Sequence, residues 1–282
     1  LTSEICKAAA IIRQGGLVAF PTETVYGLGA NALDPNAVER IYRAKGRPAE
    51  SPLIVHVADV EMARSLVIDW PDTAAELAAR HWPGPLTLVL PKAAHVPDRA
   101  TAGLPTVGIR VPAHPVALAL IRESGVPIAA PSANRFTELS PTETRHIDAA
   151  LADFVLEGGP AQVGIESTVI SLAGGRPVLL RPGAITIEGA LPPAASTEGA
   201  HPSPGMHARH YAPRTRLILG EPPAEGRGYV WRLPDDPATA ARTLYATLHD
   251  LDEMNLDWIA VTLPPDTPEW SAVRDRLKRA AS

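Results

Sequence analysis

Cysteine is nearly absent from this chain: Cys6 is the single one in 282 residues. That excludes an intrachain disulfide and a cysteine-built structural zinc site. Apolar runs are short, and none reaches the ~18 residues expected of a membrane-crossing helix. Glu4, Lys7 and Arg13 in the first predicted helix spoil a signal-peptide reading. From these absences we expect a soluble, cytoplasmic protein with no membrane attachment. There is no excess of positive charge either: 26 Lys and Arg stand against 31 Asp and Glu, a formal net charge of −5. Direct nucleic-acid binding is therefore expected to be weak or absent unless a local basic patch carries it. No GxxxxGK[ST] phosphate loop occurs, nor any signature of a covalent nucleophile.

Against these shortages stand thirty prolines, about twice the usual ~5% share, which predict many ordered loops and sharply ended elements. Apolar runs at 17–20, 53–57, 86–90, 107–111, 128–130, 153–156, 168–172 and 178–181 read as strands. Helical patterns near 4–14, 35–45, 60–67, 73–81, 115–124 and 142–151 separate several of them. Ser3 caps the first helix in this reading, and Gly15-Gly16 stops it. Asp34-Pro35 reads as an N-cap followed by proline at the first helical position. The mixture predicts an α/β domain around one twisted sheet. Composition shifts to Pro, Ala, Ser, Gly and His from about 190 to 215, a linker with polyproline character. Beyond it, strands at 217–219, 229–232 and 258–263 and helices near 238–255 and 269–281 predict a small βαβ-like unit. Leu244, Leu248 and Leu251 share one face there. A unit of that size has little core of its own.

The segment Pro21-Thr22-Glu23-Thr24-Val25-Tyr26-Gly27-Leu28-Gly29 follows the first strand as a loop dense in hydroxyls and glycine, offering donors to a ligand. The helix at 35–45 brings Lys45 and Arg47 to the same end of the sheet, a candidate phosphate site. Cations at a helix C-terminus also suit the dipole as an ordinary solvated end. Arg110 interrupts an apolar strand, where it is either an edge residue or a buried cation matched to a carboxylate; alternation puts Gly108 on its face. His56 interrupts another strand, as a satisfied core histidine or as a ligand. Ser132 and Asn134 form a turn after a strand, Ser167 opens one, and Arg181 closes one. Glu23 and Glu166 are either structural or metal-binding. His201, His207 and His210 invite a metal reading, but HxxH without a nearby cysteine or carboxylate is weak, and a linker reading is preferred.

The ordered motifs PTETVYGLG, KGRP, Leu53-Ile54-Val55-His56, Pro83-Gly84-Pro85-Leu86-Thr87, Val107-Gly108-Ile109-Arg110-Val111-Pro112, Pro131-Ser132-Ala133-Asn134, Glu166-Ser167-Thr168-Val169 and Arg181-Pro182-Gly183 resemble those of the L-threonylcarbamoyladenylate synthases. These are YrdC-like enzymes. The resemblance implies a YrdC-like twisted mixed sheet with flanking helices. It also implies the reaction: L-threonine, bicarbonate and ATP, with Mg2+, give threonylcarbamoyl-AMP and pyrophosphate. A downstream threonylcarbamoyl transferase complex would then modify tRNA. By the same resemblance Thr24, His56, Arg110, Ala130 and Ser167 bind threonine. Arg47, Ser51, Thr106, Ser132, Ser140, Arg181 and Tyr211 bind ATP, and Asn134 helps hold its phosphate or metal end. Lys45 and Arg47 carry the catalytic charge.

Ser203-Pro204-Gly205-Met206 through His210-Tyr211-Ala212-Pro213 resembles the linker of the longer, two-domain members. Hence three expected parts: a YrdC-like catalytic domain at 1–190, a linker over the active site at 191–215, and a shortened Rossmann-like C-terminal domain at 216–282. Two-domain relatives carry a larger C-terminal domain, so this chain departs from the pattern there. Competing readings are a double-stranded-RNA binder of the same fold, a carbamoyl-transfer maturation factor, and a sugar-phosphate lyase of related topology. The lone cysteine disfavours the second, whose members carry cysteine-rich zinc modules; the linker disfavours the third.

Overall fold

The computed structural model describes residues 2–192 and 210–281. Helix α1 (Thr2–Arg13) precedes the strands β1 (Val18–Phe20) and β2 (Gly27–Asn31), and α2 (Pro35–Lys45) follows them. Asp34 caps α2, its side chain accepting from the Asn36 N–H, and Gly46 closes the helix in the left-handed conformation at φ 63°. Ser3 lies inside α1 rather than capping it, because the helix already begins at Thr2. Next come β3 (Ile54–His56), α3 (Val60–Ser65), α4 (Asp72–His81), β4 (Leu86–Pro91), the short α5 (Asp98–Thr101), β5 (Thr106–Arg110), α6 (Pro115–Ser124) and β6 (Ile128–Ala129). Two short 3-10 turns, Thr144–His146 and Ala149–Leu151, replace the α-helix expected at 142–151. His146 Nδ1 accepts from the Thr142 N–H, and Asp148 caps a fresh turn by accepting from the Ala150 N–H. Both contacts break the helical run.

Strands β7 (Phe154–Val155), β8 (Thr168–Ser171) and β9 (Val178–Arg181) complete a nine-stranded mixed sheet, ordered β7-β1-β2-β6-β3-β5-β4-β8-β9. β3 runs parallel to β5 with His56 opposite Arg110 and Ile54 opposite Gly108, and antiparallel to β6. Alternation therefore sends Val55 and Ile109 into the main core, and sets Ile54, His56, Gly108 and Arg110 on the other face.

A parallel three-stranded sheet follows, built from β10 (Arg216–Leu219), β11 (Gly228–Trp231) and β12 (Trp258–Val261), with β12 central. Helices α7 (Pro237–Glu253) and α8 (Ser271–Ala280) pack on it. β11, α7 and β12 form the βαβ unit that the sequence predicts. Its core continues beyond it: Leu244, Leu248, Ile259 and Leu277 share one buried cluster with Val25, Leu139 and Ile165 from the larger part of the chain. Among the described residues no helix is long and apolar enough to cross a membrane.

Candidate active site

A cleft of about 540 Å3, counting its open mouth, lies on the β3–β5 face. The loop after β1 supplies Thr22, Thr24 and Val25; β3 and β5 supply His56 and Arg110. The exit of β6 adds Ala130, Pro131 and Ser132, and the entry to β8 adds Glu166 and Ser167. Arg47, Arg181, His210 and Tyr211 close the walls. Nine of the residues singled out from the sequence thus line one cavity: Thr24, Arg47, His56, Arg110, Ala130, Ser132, Ser167, Arg181 and Tyr211.

The cleft floor is a polar network within a buried sheet. Arg110 Nη2 donates to Glu23 Oε1 at 2.5 Å, Nη1 to Thr24 Oγ1 at 2.9 Å and Nε to the Gly84 carbonyl at 3.1 Å. The second Glu23 oxygen accepts from the Ala113 N–H. The pair is almost wholly buried, with 4% and 6% of the two side chains exposed. Three of the five guanidinium N–H groups are thereby used, which fixes the plane and leaves the other two for a ligand. His56 is 5% exposed and packs edge-on against Phe20. Burial, reinforced by the positive charge of Arg110, depresses its imidazolium to a pKa of about 3. It is neutral at pH 7, and its buried Nδ1 has no protein partner. Gly108, in the groove beside the floor, has little spare room: a Cβ there would meet Thr87 Cγ2 at 3.3 Å.

Two further cations stand in the wall of the cleft. Arg47 is buried and donates to the Ser51 and Pro52 carbonyls, so residues 47–52 form a rigid turn. Burial above all lowers its guanidinium to about 10. Arg181 donates from Nε and Nη2 to the Ser167 carbonyl, at 3.1 and 2.9 Å, and from Nη2 to Ser167 Oγ. Ser167 Oγ also meets Thr87 Oγ1 at 2.8 Å.

Five singled-out residues do not line this cleft. Lys45 is buried, and its Nζ donates to the Ser132 carbonyl at 2.6 Å and to that of Asn134. Burial, then the charge of Arg47, holds it well below the ordinary lysine range. In this structure Lys45 fastens the 132–134 turn. Ser51 turns its carbonyl to Tyr42 and Arg47, and Thr106 lines a neighbouring groove with Thr87 and Gly108 that meets the cleft at Ile54. Asn134 faces a different cavity beside Glu138, His146 and His249. Ser140 is fully buried and donates to Glu166 Oε1 at 2.6 Å.

The sequence reading left Glu23 and Glu166 uncommitted and passed over two further residues, Tyr245 and Arg276. Glu166 accepts from Ser140, Tyr245 and Arg276 together. Burial alone would raise its pKa; the charges of Arg276 and Arg181, with the Ser140 hydrogen bond, bring it down to about 2. Only the place of Glu166 before a motif serine hints at this hub, and the arginine that pairs with it, Arg276, lies over a hundred residues away. His201, Ser203, Pro204, Gly205, Met206, His207 and Arg209 lie outside the described residues. The next three residues are placed: the His210 N–H donates to the Arg279 carbonyl, the Ala212 N–H donates to that of Thr137, and Tyr211 is held between them at φ 61°.

Two carboxylates reach the cleft region and both are spent on guanidinium groups. No group of three or more His, Cys, Asp or Glu that could hold a metal exists among the described residues. They therefore do not fit a dedicated protein-held Mg2+ site.

Stability should depend on pH through the same burial. The folded His56, at about 3, refuses the proton that an unfolded histidine takes up near 6.5. His146, stacked on His249, is similarly depressed to about 4 by burial and its neighbour. Sign follows: stability is full above about pH 6.5 and falls as pH drops, by up to about 1.4 kcal/mol per pH unit for His56. Glu166 adds a second loss below pH 4.5, as pH falls toward about 2. Calorimetric melting from pH 8 to 4 is the check; a flat profile between 7 and 5 would refute neutral burial.

Residues 10–183 match the Sua5/YciO/YrdC family model described as "Telomere recombination", and 179–231 with 226–282 match the "Threonylcarbamoyl-AMP synthase, C-terminal domain". A curated threonylcarbamoyl-AMP synthase of Bacillus subtilis is 44% identical over 99% of this chain and 93% of its own length. One from Pyrococcus abyssi is 42% identical over 97% and 93%. The crystal structure of P. abyssi Sua5 complexed with L-threonine superposes with a TM-score of 0.93 at 40% identity, covering all of this chain and 95% of that one.

Proposed function

This chain belongs to the Sua5/YciO/YrdC family, in its two-domain threonylcarbamoyl-AMP synthase form, and on that premise we propose how its cleft makes threonylcarbamoyl-AMP. The enzyme is a nucleotidyltransferase. L-Threonine and bicarbonate combine into the N-carboxylated amino acid, with loss of water. A carbamate oxygen then attacks the α-phosphorus of ATP, and the bond to pyrophosphate breaks. The observation that carries the residue assignment is that one cleft is lined both by Arg110, whose guanidinium is fixed through three of its N–H groups, and by the carbonyl-anchored Arg47 and Arg181.

Threonine takes the floor. Its α-carboxylate meets the two unused N–H groups of Arg110, a planar match that lysine cannot reproduce. Thr24, Ala130 and Ser167 surround the rest, and the unpartnered Nδ1 of His56 supplies a neutral hydrogen-bonding atom. Neutrality matters, because a second full charge beside Arg110 would over-bind the ground state without helping the transfer. ATP takes the wall. Arg47 and Arg181 face the charge that grows on the phosphate oxygens and on departing pyrophosphate, fixed in advance by carbonyl contacts. Ser132 and Tyr211 complete the nucleotide contacts, with Thr106 in the adjoining groove. Lys45, Ser51, Asn134 and Ser140 act behind them by holding turns. Mg2+, lacking a carboxylate site here, would enter on the triphosphate. The product passes to a threonylcarbamoyl transferase that modifies tRNA, placing the reaction in the cytoplasm.

The cations of this cleft are buried within it rather than displayed on a face, which favours a small anionic ligand over an RNA duplex. The decisive test is mass analysis of products from ATP, L-threonine and bicarbonate, each omitted in turn. Adenylate should form in the complete mixture alone. Adenylate formed without threonine, or none in any mixture, would sink the reading.

A further inference from the structure

The structure assigns to Arg276, and with it Tyr245, a positioning role in the catalytic site: the C-terminal unit aligns the threonine- and ATP-binding walls by fastening the Glu166–Ser167 and Arg181–Pro182 segments and Tyr211. This rests on the cleft assignment proposed above. Arg276 is 0% exposed and lies on α8, nearly a hundred residues beyond the last strand of the large sheet. Its Nε donates to Glu166 Oε2 at 2.7 Å, and its Nη2 to the Pro182 carbonyl at 3.1 Å. Asp275 takes Nη1 at 2.6 Å and holds the fork in plane. The guanidinium carbon sits 5.2 Å from the centre of the Tyr211 ring. One side chain therefore touches three separate chain segments, each immediately adjoining or including a residue that lines the cleft. Arg276 itself does not line it.

The partners make this more than a domain weld. Glu166 is saturated by Ser140, Tyr245 and Arg276, and the next residue, Ser167, lines the cleft. Arg181, next to Pro182, hangs on the Ser167 carbonyl through Nε and Nη2. A shift of Glu166 therefore moves Ser167 and Arg181 together, one on each wall. Gly183 leaves little slack, since a Cβ there would lie 2.3 Å from the Thr168 nitrogen. Buried, fully paired networks of this kind fix one geometry, and breaking one member releases the others. Displacements of about 1 Å at such sites are enough to cost large factors in rate.

The test uses the full-length chain. Arg276→Met keeps the stem and removes the charge; Tyr245→Phe removes only a hydroxyl; Arg276→Lys keeps the charge without the fork. Arg274→Met removes a guanidinium from the same helix that touches none of these segments, and serves as the control. We expect Arg276→Met to raise KM for both L-threonine and ATP about tenfold, Tyr245→Phe to raise both about threefold, and Arg276→Lys to fall between wild type and Arg276→Met. Arg274→Met should leave both unchanged. Hydrogen exchange of the amides of residues 166–168, 181 and 183 should quicken in Arg276→Met without any ligand present. Unchanged KM values in folded Arg276→Met would overturn the assignment; should that variant not fold, unchanged values in Tyr245→Phe would do so. Were wild type to form no adenylate, the functional reading would fall by itself, and unchanged exchange at 166–168, 181 and 183 would then overturn this one.

Discussion

Arg110→Ala should lower affinity for L-threonine about 30-fold or more while affecting ATP far less, because it removes one partner of a desolvated charge pair. The same substitution strands Glu23, whose side chain is 6% exposed and would keep only the Ala113 N–H among the hydrogen bonds of the described residues. An unpaired buried charge costs about 3–5 kcal/mol, so the melting temperature should fall as well. Arg110→Lys separates the two effects. A lysine keeps a cation beside Glu23 and should recover part of the stability, but it has no planar fork and should not recover threonine affinity. Calorimetric titration with each ligand, paired with thermal melting, reads both. Equal losses for threonine and ATP would make Arg110 a structural residue.

Tyr211→Ala should raise KM for ATP at least tenfold. Tyr211 is 2% exposed and lines the cleft beside Arg47 and Arg181. Its ring centre is 4.1 Å from that of His210 and 5.8 Å from that of Tyr245. It is also one of few non-glycine residues held at positive φ, a conformation that persists where surroundings over-determine it. Loss of the ring costs packing, of the order of 3–5 kcal/mol for a large aromatic, in a cluster shared with α7 and α8. Cutting the chain after Gly189 should be more severe still. It would uncover Val25, Leu139 and Ile165 and leave Glu166 without Arg276 and Tyr245. Tyr211→Ala with an unchanged KM for ATP, or a truncated chain with full activity, would reduce the linker to a tether.

Many elements in the first two-thirds of the fold were legible because they carry local physical signatures. Asp34-Pro35 and Gly46 bound α2 through capping and left-handed closure, and Leu86–Pro91 is buried along nearly its whole length as a central strand requires. Strand β2 was not legible. Gly27-Leu28-Gly29 reads as loop because glycine gives up side-chain packing, yet Gly29 is required: a Cβ there would lie 2.6 Å from Phe20 and 2.7 Å from Ile128. The small residue answers to neighbours distant in sequence, which no local pattern reveals.

The pattern of apolar runs by itself determined an α/β chain, and the ordered motifs, through their resemblance, the threonylcarbamoyl-AMP synthase family, with Lys45, Arg47, Arg110 and Arg181 as its charge-bearing candidates. Motifs of that kind are local, so a linear chain displays them. Tertiary structure alone decided which of those residues line the cleft and which lie behind it. Lys45 reads locally as a phosphate cation, and the fold gives its ammonium two carbonyls; Glu166 has no role legible along the chain, and the fold makes it the hub for Arg276 and Tyr245. The reason is that a buried charge must be paired, and its partner is chosen by the packing of segments a hundred residues apart rather than by spacing along the chain.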